Sequence, residues 1–198
     1  VNRLEVALRG IVTALERRSQ RFALVGGLAV SARAEPRFTR DIDLALAVKD
    51  DDEAEWLVRD LGGSGYAVLA TVEQTATHRL ATVRLGTARE TERGVVVDIL
   101  FASSGIEPEV VNAATPVQII PELTLPIASV GHLIALKVLS VNPERPQDAA
   151  DLKALGAVAE QEDLDVALTS LDLIERRGFD RGRNLRECFR EHLGSGKE

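Results

Sequence analysis

Leu4, Leu8, Ile11 and Leu15 recur at helical spacing, which predicts an amphipathic helix over residues 4 to 18. The period then changes. Phe22 to Val25 is a short unbroken apolar run that reads as a buried strand, and it ends on Gly26-Gly27. Leu28 to Ala34 is alanine-rich and suits a helix, so the two glycines join a strand to a helix. Asp41 to Val48 forms the second expected strand. A helix follows over Asp51 to Leu61, with acids in its first turn where the helix dipole favours them, closed by Gly62-Gly63. Tyr66 to Val72 and Arg79 to Leu85 suit an antiparallel pair, and Val95 to Phe101 is the strongest strand in the chain. The polar stretch Arg89 to Arg93, running into Gly94, predicts a hairpin turn between the last two of these strands.

The pattern becomes helical near residue 128. Ser129 can cap a helix carrying Leu133, Leu136, Lys137 and Leu139, which Pro143 and Pro146 break before a second helix over Gln147 to Leu155. Leu164, Leu168, Leu171 and Ile174 mark a third helix ended by Gly178, and Leu185 to Leu193 a last one. The expected fold class is α+β: a mixed sheet in residues 1–127 followed by a helical bundle in residues 128–198. No internal repeat is visible, and the one low-complexity segment is the Gly-Ser-Gly-Lys tail.

Composition narrows the class. The 198 residues are 45% apolar and 28% charged, ordinary values for a globular chain. No apolar stretch approaches the roughly 20 residues that span a bilayer, so no membrane partner is expected. Val1-Asn2-Arg3-Leu4-Glu5 reads into the first helix and lacks a signal-peptide pattern. Cys188, the one cysteine, forms neither an intramolecular disulfide nor a thiol cluster for zinc, and cytoplasmic residence is the expectation. A net charge of −7 opposes indiscriminate binding to nucleic acid. Local basic surfaces remain open: Arg33, Arg37 and Arg40 cluster between the glycines and Asp41, and Arg176, Arg177, Arg181, Arg183, Arg186 and Arg190 gather near the C-terminus. Such groups are also what a solvated helix face looks like. With aromatics at 4%, a broad base-stacking platform is not expected.

Three acids stand out because they interrupt apolar runs. Asp41 and Asp43 flank Ile42 and, at i and i+2 of a strand, share a face; Asp98 lies within Val95 to Phe101. Carboxylates inside apolar strands are costly unless something neutralises them. If a neighbouring strand adds Asp98 to the same face, the three make a hard-oxygen cage suited to Mg²⁺, with positions left for water and phosphate. That pattern points to metal-dependent phosphoryl or nucleotidyl transfer. Gly26-Gly27 would let the backbone approach a phosphate at a helix N-terminus, although many strand-to-helix turns use glycine for steric reasons alone.

Val25-Gly26-Gly27-Leu28-Ala29-Val30 through Asp41-Ile42-Asp43-Leu44 resembles the polymerase-β-type nucleotidyltransferase superfamily. More closely it resembles the toxin branch related to bacterial AbiEii abortive-infection proteins, which includes the mycobacterial MenT-type tRNA nucleotidyltransferase toxins. Leu133-Ile134-Ala135-Leu136-Lys137 and Arg145-Pro146-Gln147-Asp148-Ala149-Ala150-Asp151-Leu152 extend the match to roughly residues 20 to 155. Where the superfamily often has Gly-Ser, this chain has Gly26-Gly27, so backbone N–H groups would carry more of any phosphate contact.

The resemblance implies a polymerase-β-like catalytic domain in residues 1–127 and a helical domain in 128–198 that completes the nucleotide site. It implies two Mg²⁺ ions, with Mn²⁺ as an alternative ion, bridged by Asp41 and Asp43, with Asp98 completing the second site. It also implies transfer of a nucleoside monophosphate from an NTP, a pyrimidine one by preference, to the tRNA acceptor end, which blocks aminoacylation, and a cognate antitoxin. On the residues alone, Asp98 is either a partner of the attacking hydroxyl or a strand acid paired with an arginine. Lys137 interrupts an apolar helix face and either snorkels to water or, as the family pattern favours, meets the triphosphate. Asp148 and Asp151, at i and i+3, could orient Lys137, contact the nucleotide or cap their helix after Pro146. Arg33, Arg37 and Arg40 are candidates for nucleotide or acceptor phosphates.

Thr39 stands two residues before Asp41; a turn hydrogen bond is its ordinary role. Some family members are silenced by a kinase-like antitoxin, and phosphorylation at Thr39 would add charge beside the carboxylates. His78, His132 and His192 lack ligand spacing and read as surface or interface residues. No Gly-Lys-Ser/Thr phosphate loop is present. Two other acceptors, a small molecule of aminoglycoside type and a protein hydroxyl, stay open, as does a non-catalytic nucleotide-binding module.

Overall fold

The computed structural model describes residues 3–87 and 94–194. The chain folds as α1 (Arg3–Glu16), β1 (Phe22–Val25), α2 (Gly26–Arg33), β2 (Ile42–Leu46), α3 (Asp51–Gly63), β3 (Tyr66–Glu73), β4 (Leu80–Thr87) and β5 (Val97–Leu100), then α4 (Glu107–Asn112), β6 (Thr115–Ile120), β7 (Leu123–Ile127), α5 (Val130–Ser140), α6 (Pro146–Val158), α7 (Gln161–Arg176) and α8 (Leu185–Leu193). The class is α+β, as the sequence implied: one mixed seven-stranded sheet in the order β3-β4-β5-β2-β1-β7-β6, followed by C-terminal helices.

The short central strands are buried because both faces are covered. All four residues of β1 are buried, which explains an unbroken apolar run in place of alternation. β1 pairs antiparallel with β2 and parallel with β7, while β2 runs parallel to β5. Helix α3 packs on β3 and β4, α4 on β1 and β2, and α2 lies between the sheet and α5 and α6. One apolar core runs from Leu24, Leu44 and Ile99 in the sheet to Leu152, Leu171 and Leu185 in the C-terminal helices. No helix among the described residues is long and apolar enough to cross a membrane.

Several local expectations shift. β2 begins at Ile42 and β5 at Val97, so both are shorter than the apolar runs that announced them. Gly62 and Gly63 lie inside α3, and the left-handed turn beyond it falls on Gly65 at φ 93°. β4 and β5 are antiparallel neighbours, but the turn expected at Arg89 to Arg93 lies outside the described residues. Helix α4 and the β6–β7 hairpin were not anticipated. Pro116 and Pro126 obscure that hairpin, yet they stand opposite one another in register, with Pro116 on an edge strand where its missing N–H leaves no ladder bond unmade. The hairpin turns at Pro121-Glu122, with Glu122 at φ 61°. At the start of α5, Ser129 caps as expected, accepting a hydrogen bond from the His132 amide.

Candidate active site

Register puts the chemistry in one row across the sheet. Val25 pairs with Asp43, Asp43 with Asp98, and Asp98 with Arg84, so these side chains stand side by side on one face. Two adjacent carboxylates in the middle of a sheet are mutually unfavourable. Asp98 is balanced on its far side: Arg84 Nε donates to Asp98 Oδ1 at 2.8 Å and Nη2 to Oδ2 at 2.7 Å. The arginine-paired reading of Asp98 is therefore realised, and Asp98 still lines the cleft together with Asp41 and Asp43. Arg84 in turn is held above its ordinary value by that bond.

Asp43 has no such balance. Burial first, and then the Asp98 charge, raise its carboxyl to about 6, against the pull of Lys137 and Arg145. Gly26 makes room for it. That residue has φ 64°, and a Cβ there would overlap the Asp43 carboxylate and come within 2.7 Å of its Cβ. Gly27 is packed under Arg37 and Thr39, where a Cβ would lie 2.5 Å from Arg37 Nη2 and 3.0 Å from Thr39 Oγ1. Both glycines thus serve the close approach of the site's own side chains. Asp41 precedes β2 and is exposed, while Ile42 beside it is fully buried.

The opposite wall is cationic and comes from the C-terminal helices. Lys137 of α5, 9% exposed, bridges two buried acids of α6: its Nζ lies 2.6 Å from Asp148 Oδ1 and 2.7 Å from Asp151 Oδ2. Arg37 closes on Asp151 with a fork, Nε to Oδ1 at 2.7 Å and Nη2 to Oδ2 at 2.9 Å. Burial would raise the Asp151 carboxyl, but hydrogen bonds from Arg37 and Lys137 outweigh it and hold the group below its ordinary value. Arg145 approaches Asp148 at 3.4 Å. Asp148 Oδ2 is itself buried without a hydrogen-bond partner. Helix α6 begins at Pro146 after Arg145 and has no side-chain cap, so Asp148 serves Lys137 and not the helix end.

The cleft between these walls has a volume of about 330 Å³. It also admits Ser103 and Ser104, which sequence reasoning did not single out, and Arg181, which it placed only in the C-terminal basic group. Ser103 and Ser104 sit on the turn after β5, held by Glu107, whose Oε1 accepts from both backbone amides at 2.8 and 2.7 Å. Arg181, in the α7–α8 connection, is lowered by burial and then by the like charges of Arg183 and Arg145. Guanidinium groups that converge in this way suit an anion. No local signal marked Arg84, and Arg181 was noted only within the C-terminal arginine group, since strand register and helix packing alone bring them to the cleft.

Other candidates are used elsewhere. Arg33 donates to the Ala128 and Ile127 carbonyls and so ties α2 to β7. Arg40 stacks over Phe38, 5.4 Å from the ring centroid. Most of the C-terminal arginine group is engaged within the fold: Arg177 with Glu109, Arg186 with Asp172, and Arg183 with the Leu139 carbonyl. His132, expected at a surface or interface, is buried at 7% exposure beside Ser129. On α8, Cys188, Glu191 and His192 bring ligand atoms within 4.8 Å of one another, the one such triple among the described residues. It lies outside the cleft, with Arg183 Nη2 3.2 Å from the Cys188 sulfur.

Asp41, Asp43 and Asp98 give the cleft the hard-oxygen donor type that a divalent ion takes, but both Asp98 oxygens accept from Arg84 and the three do not bring ligand atoms within 4.8 Å of one another as the α8 triple does. Asp43 is partly exposed to the cleft beside Asp41 and Asp98, and desolvation together with the Asp98 charge disfavours its ionised form.

Residues 9–196 match the family described as "Nucleotidyl transferase AbiEii toxin, Type IV TA system". No curated protein matches the chain. Among solved structures, an antigenic nucleotidyltransferase-like protein from Paracoccidioides brasiliensis is similar at 16% identity, over 94% of this chain and 92% of that one, with a TM-score of 0.53. JHP933 from Helicobacter pylori matches at 16% identity over 96% and 88%, with a TM-score of 0.46. The antibiotic-resistance factor ANT(2'')-Ia matches at 20% identity over 95% and 91%, with a TM-score of 0.48. At such identities structural likeness speaks for the fold, and the family match carries the classification. The chain belongs to the AbiEii nucleotidyltransferase toxin family of type IV toxin–antitoxin systems; it is a nucleotidyltransferase, and membership implies an NTP substrate and an antitoxin partner.

Proposed function

We propose that this protein transfers a nucleoside monophosphate from an NTP to the 3′ end of tRNA and so blocks aminoacylation. The observation that carries the nucleotidyl-transfer reading is the cross-strand Asp43–Asp98 pair facing the Lys137 wall across one cleft. In this reading residues 1–127 supply the carboxylates and residues 128–198 complete the nucleotide site. Asp41, Asp43 and Asp98 would hold Mg²⁺, or Mn²⁺ in its place. Bound there, the ion supplies Lewis-acid charge for the triphosphate and lowers the pKa of the attacking hydroxyl.

The chain's own groups do the rest. Lys137, Arg145 and Arg181 meet the anionic phosphates from the helical side. Arg84 fixes the orientation of Asp98 through its fork, and Asp98 is the partner of the attacking 3′-hydroxyl. Asp148 and Asp151 hold the Lys137 ammonium in place, and Arg37 locks Asp151. The backbone of Gly26 and Gly27, at the start of α2, adds N–H dipoles near the phosphates.

The tRNA acceptor and the pyrimidine preference rest on resemblance to the tRNA-modifying toxin branch. One observation favours a second reading, a small-molecule acceptor: the C-terminal arginines expected to offer a basic RNA-binding face are largely spent on intramolecular pairs. Incubation with total tRNA, Mg²⁺ and each α-labelled NTP in turn, beside Asp41→Ala, separates the two. Label on tRNA with the active protein alone supports the first; pyrophosphate release that needs a small hydroxyl compound and leaves tRNA unlabelled supports the second.

Neutralisation by an antitoxin is part of the proposal, with Thr39 as a phosphorylation site at the rim of the cleft. A phosphate there would bring nearly two negative charges to the NTP entrance. Full transfer activity in Thr39→Glu would sink that part.

A further inference from the structure

A second pocket, about 340 Å³, opens beside the cleft and shares Arg37 and Thr39 with it as a common wall. Arg3, Arg37 and Arg40 line it, together with Phe38 and the apolar Leu4 and Leu28; among the described residues no acid does. Arg37 is forked to Asp151, so Arg40 is the cation on which this pocket relies. Phe38 is 79% exposed, the most exposed large apolar side chain among the described residues, and the Arg40 guanidinium lies over its ring at 5.4 Å. A phenylalanine left in water contributes nothing to the core, whose nearby members Val30 and Ile42 are fully buried.

We propose that this pocket is the docking site for the single-stranded 3′ end of the RNA acceptor. The Phe38 ring takes a base by stacking, and Arg40 with its neighbours takes the adjoining phosphodiester. The inference rests on the RNA-acceptor reading above and names the surface that reading requires. Three features favour this occupant. An exposed ring with a guanidinium stacked upon it is the pairing that binds unpaired bases without regard to sequence. The Arg40 guanidinium complements a phosphodiester and does not suit a cationic small acceptor of aminoglycoside type. Finally, Phe38 stands three residues before Asp41 on the segment that leads into the carboxylates, and the shared wall joins the pocket to the cleft. A strand laid over Phe38 therefore delivers its terminal hydroxyl towards Asp98. One ring serves here, not a broad aromatic platform, in keeping with so few aromatics.

The test uses the full chain and a 5′-fluorescein-labelled single-stranded RNA of ten nucleotides ending in CCA, read by anisotropy, with NTP affinity measured on the same proteins. Phe38→Ala is expected to weaken RNA binding by about 5- to 100-fold, the range of one base–aromatic stack, while NTP affinity stays within twofold. Arg40→Ala should reduce the slope of log K against log salt by about 0.7, one phosphate contact on a single strand. Val158→Ala, an exposed apolar side chain outside both pockets, is the control. RNA binding unchanged in Phe38→Ala would overturn the docking site and leave the RNA reading standing. Loss of NTP affinity in Phe38→Ala would overturn it in favour of the nucleotide's own base. Failure of the unaltered protein to bind the RNA while it binds NTP would overturn the RNA reading, and the docking site with it.

Discussion

Lys137→Met removes the cation that two buried carboxylates share. Asp148 and Asp151 are 3% and 1% exposed, and Lys137 Nζ contacts them at 2.6 and 2.7 Å. Deleting one partner of a buried ion pair costs about 3–5 kcal/mol, chiefly because the remaining charge is left desolvated. Asp151 keeps its fork with Arg37, whereas Asp148 keeps only Arg145 at 3.4 Å, on a side chain that is 63% exposed. The loss therefore concentrates on one carboxylate and falls near the lower end, about 3 kcal/mol. For a chain of this size that lowers Tm by about 6–12 °C. Urea titration of the unaltered protein, Lys137→Met, Asp148→Asn and the double variant completes a cycle. Asp148→Asn should recover about half of the loss in the Lys137→Met background, because it removes the stranded charge. A fall below about 1 kcal/mol, or a double variant whose loss equals the sum of the singles, would refute the reasoning.

Gly26→Ala should destabilise by about 2–5 kcal/mol, from the left-handed backbone and the overlap with Asp43, and reduce transfer more than 100-fold by displacing that carboxylate; wild-type kcat/KM would contradict this. Burial raises the Glu107 carboxyl despite hydrogen bonds from Ser104 and Ser103, so between the unfolded and the folded pKa the folded chain holds a proton that the unfolded chain has released. Its charge thus destabilises the fold at neutral pH, and stability is regained as pH falls through the folded pKa towards the unfolded value near 4.5. Glu107→Gln should gain stability relative to the parent as pH rises above that window, measured as the difference in Tm against pH; a difference that does not vary with pH rejects the assignment. Mg²⁺ or Mn²⁺ at ten times its Kd should stabilise the parent by about 1.4 kcal/mol, some 3–6 °C in Tm, and leave Asp43→Asn unmoved. Equal shifts in both proteins would mean that the ion binds elsewhere.

What the sequence disclosed was local. The β1–glycine–α2 junction, the acids around Ile42, the Ser129 cap and α8 are each written within a few residues, as period, cap or interruption. Apolar runs overstated β2 and β5 because burial continues past the last ladder bond into Val48 and Phe101. The prolines of β6 and β7 spoke against strands that edge position and register in fact permit. Partnerships were hidden for a different reason. Arg84 meets Asp98 only through antiparallel register, and Arg37 meets Asp151 only when α6 packs beside α2. An arginine at the surface of a strand or loop looks the same in sequence whether it faces water or an acid from another element. That is also why the C-terminal arginines read as a basic surface and turned out to be mostly paired.

The most direct measurement is the intact mass of a purified tRNA after incubation with the protein, Mg²⁺ and a pyrimidine NTP, with a second sample whose terminal ribose has been opened by periodate. Addition at a 3′-hydroxyl predicts a mass increase of one or more nucleotide residues on the untreated tRNA, none on the oxidised tRNA and none with Asp43→Asn. Equal addition to both tRNAs, or addition by Asp43→Asn at the parent rate, would contradict the account.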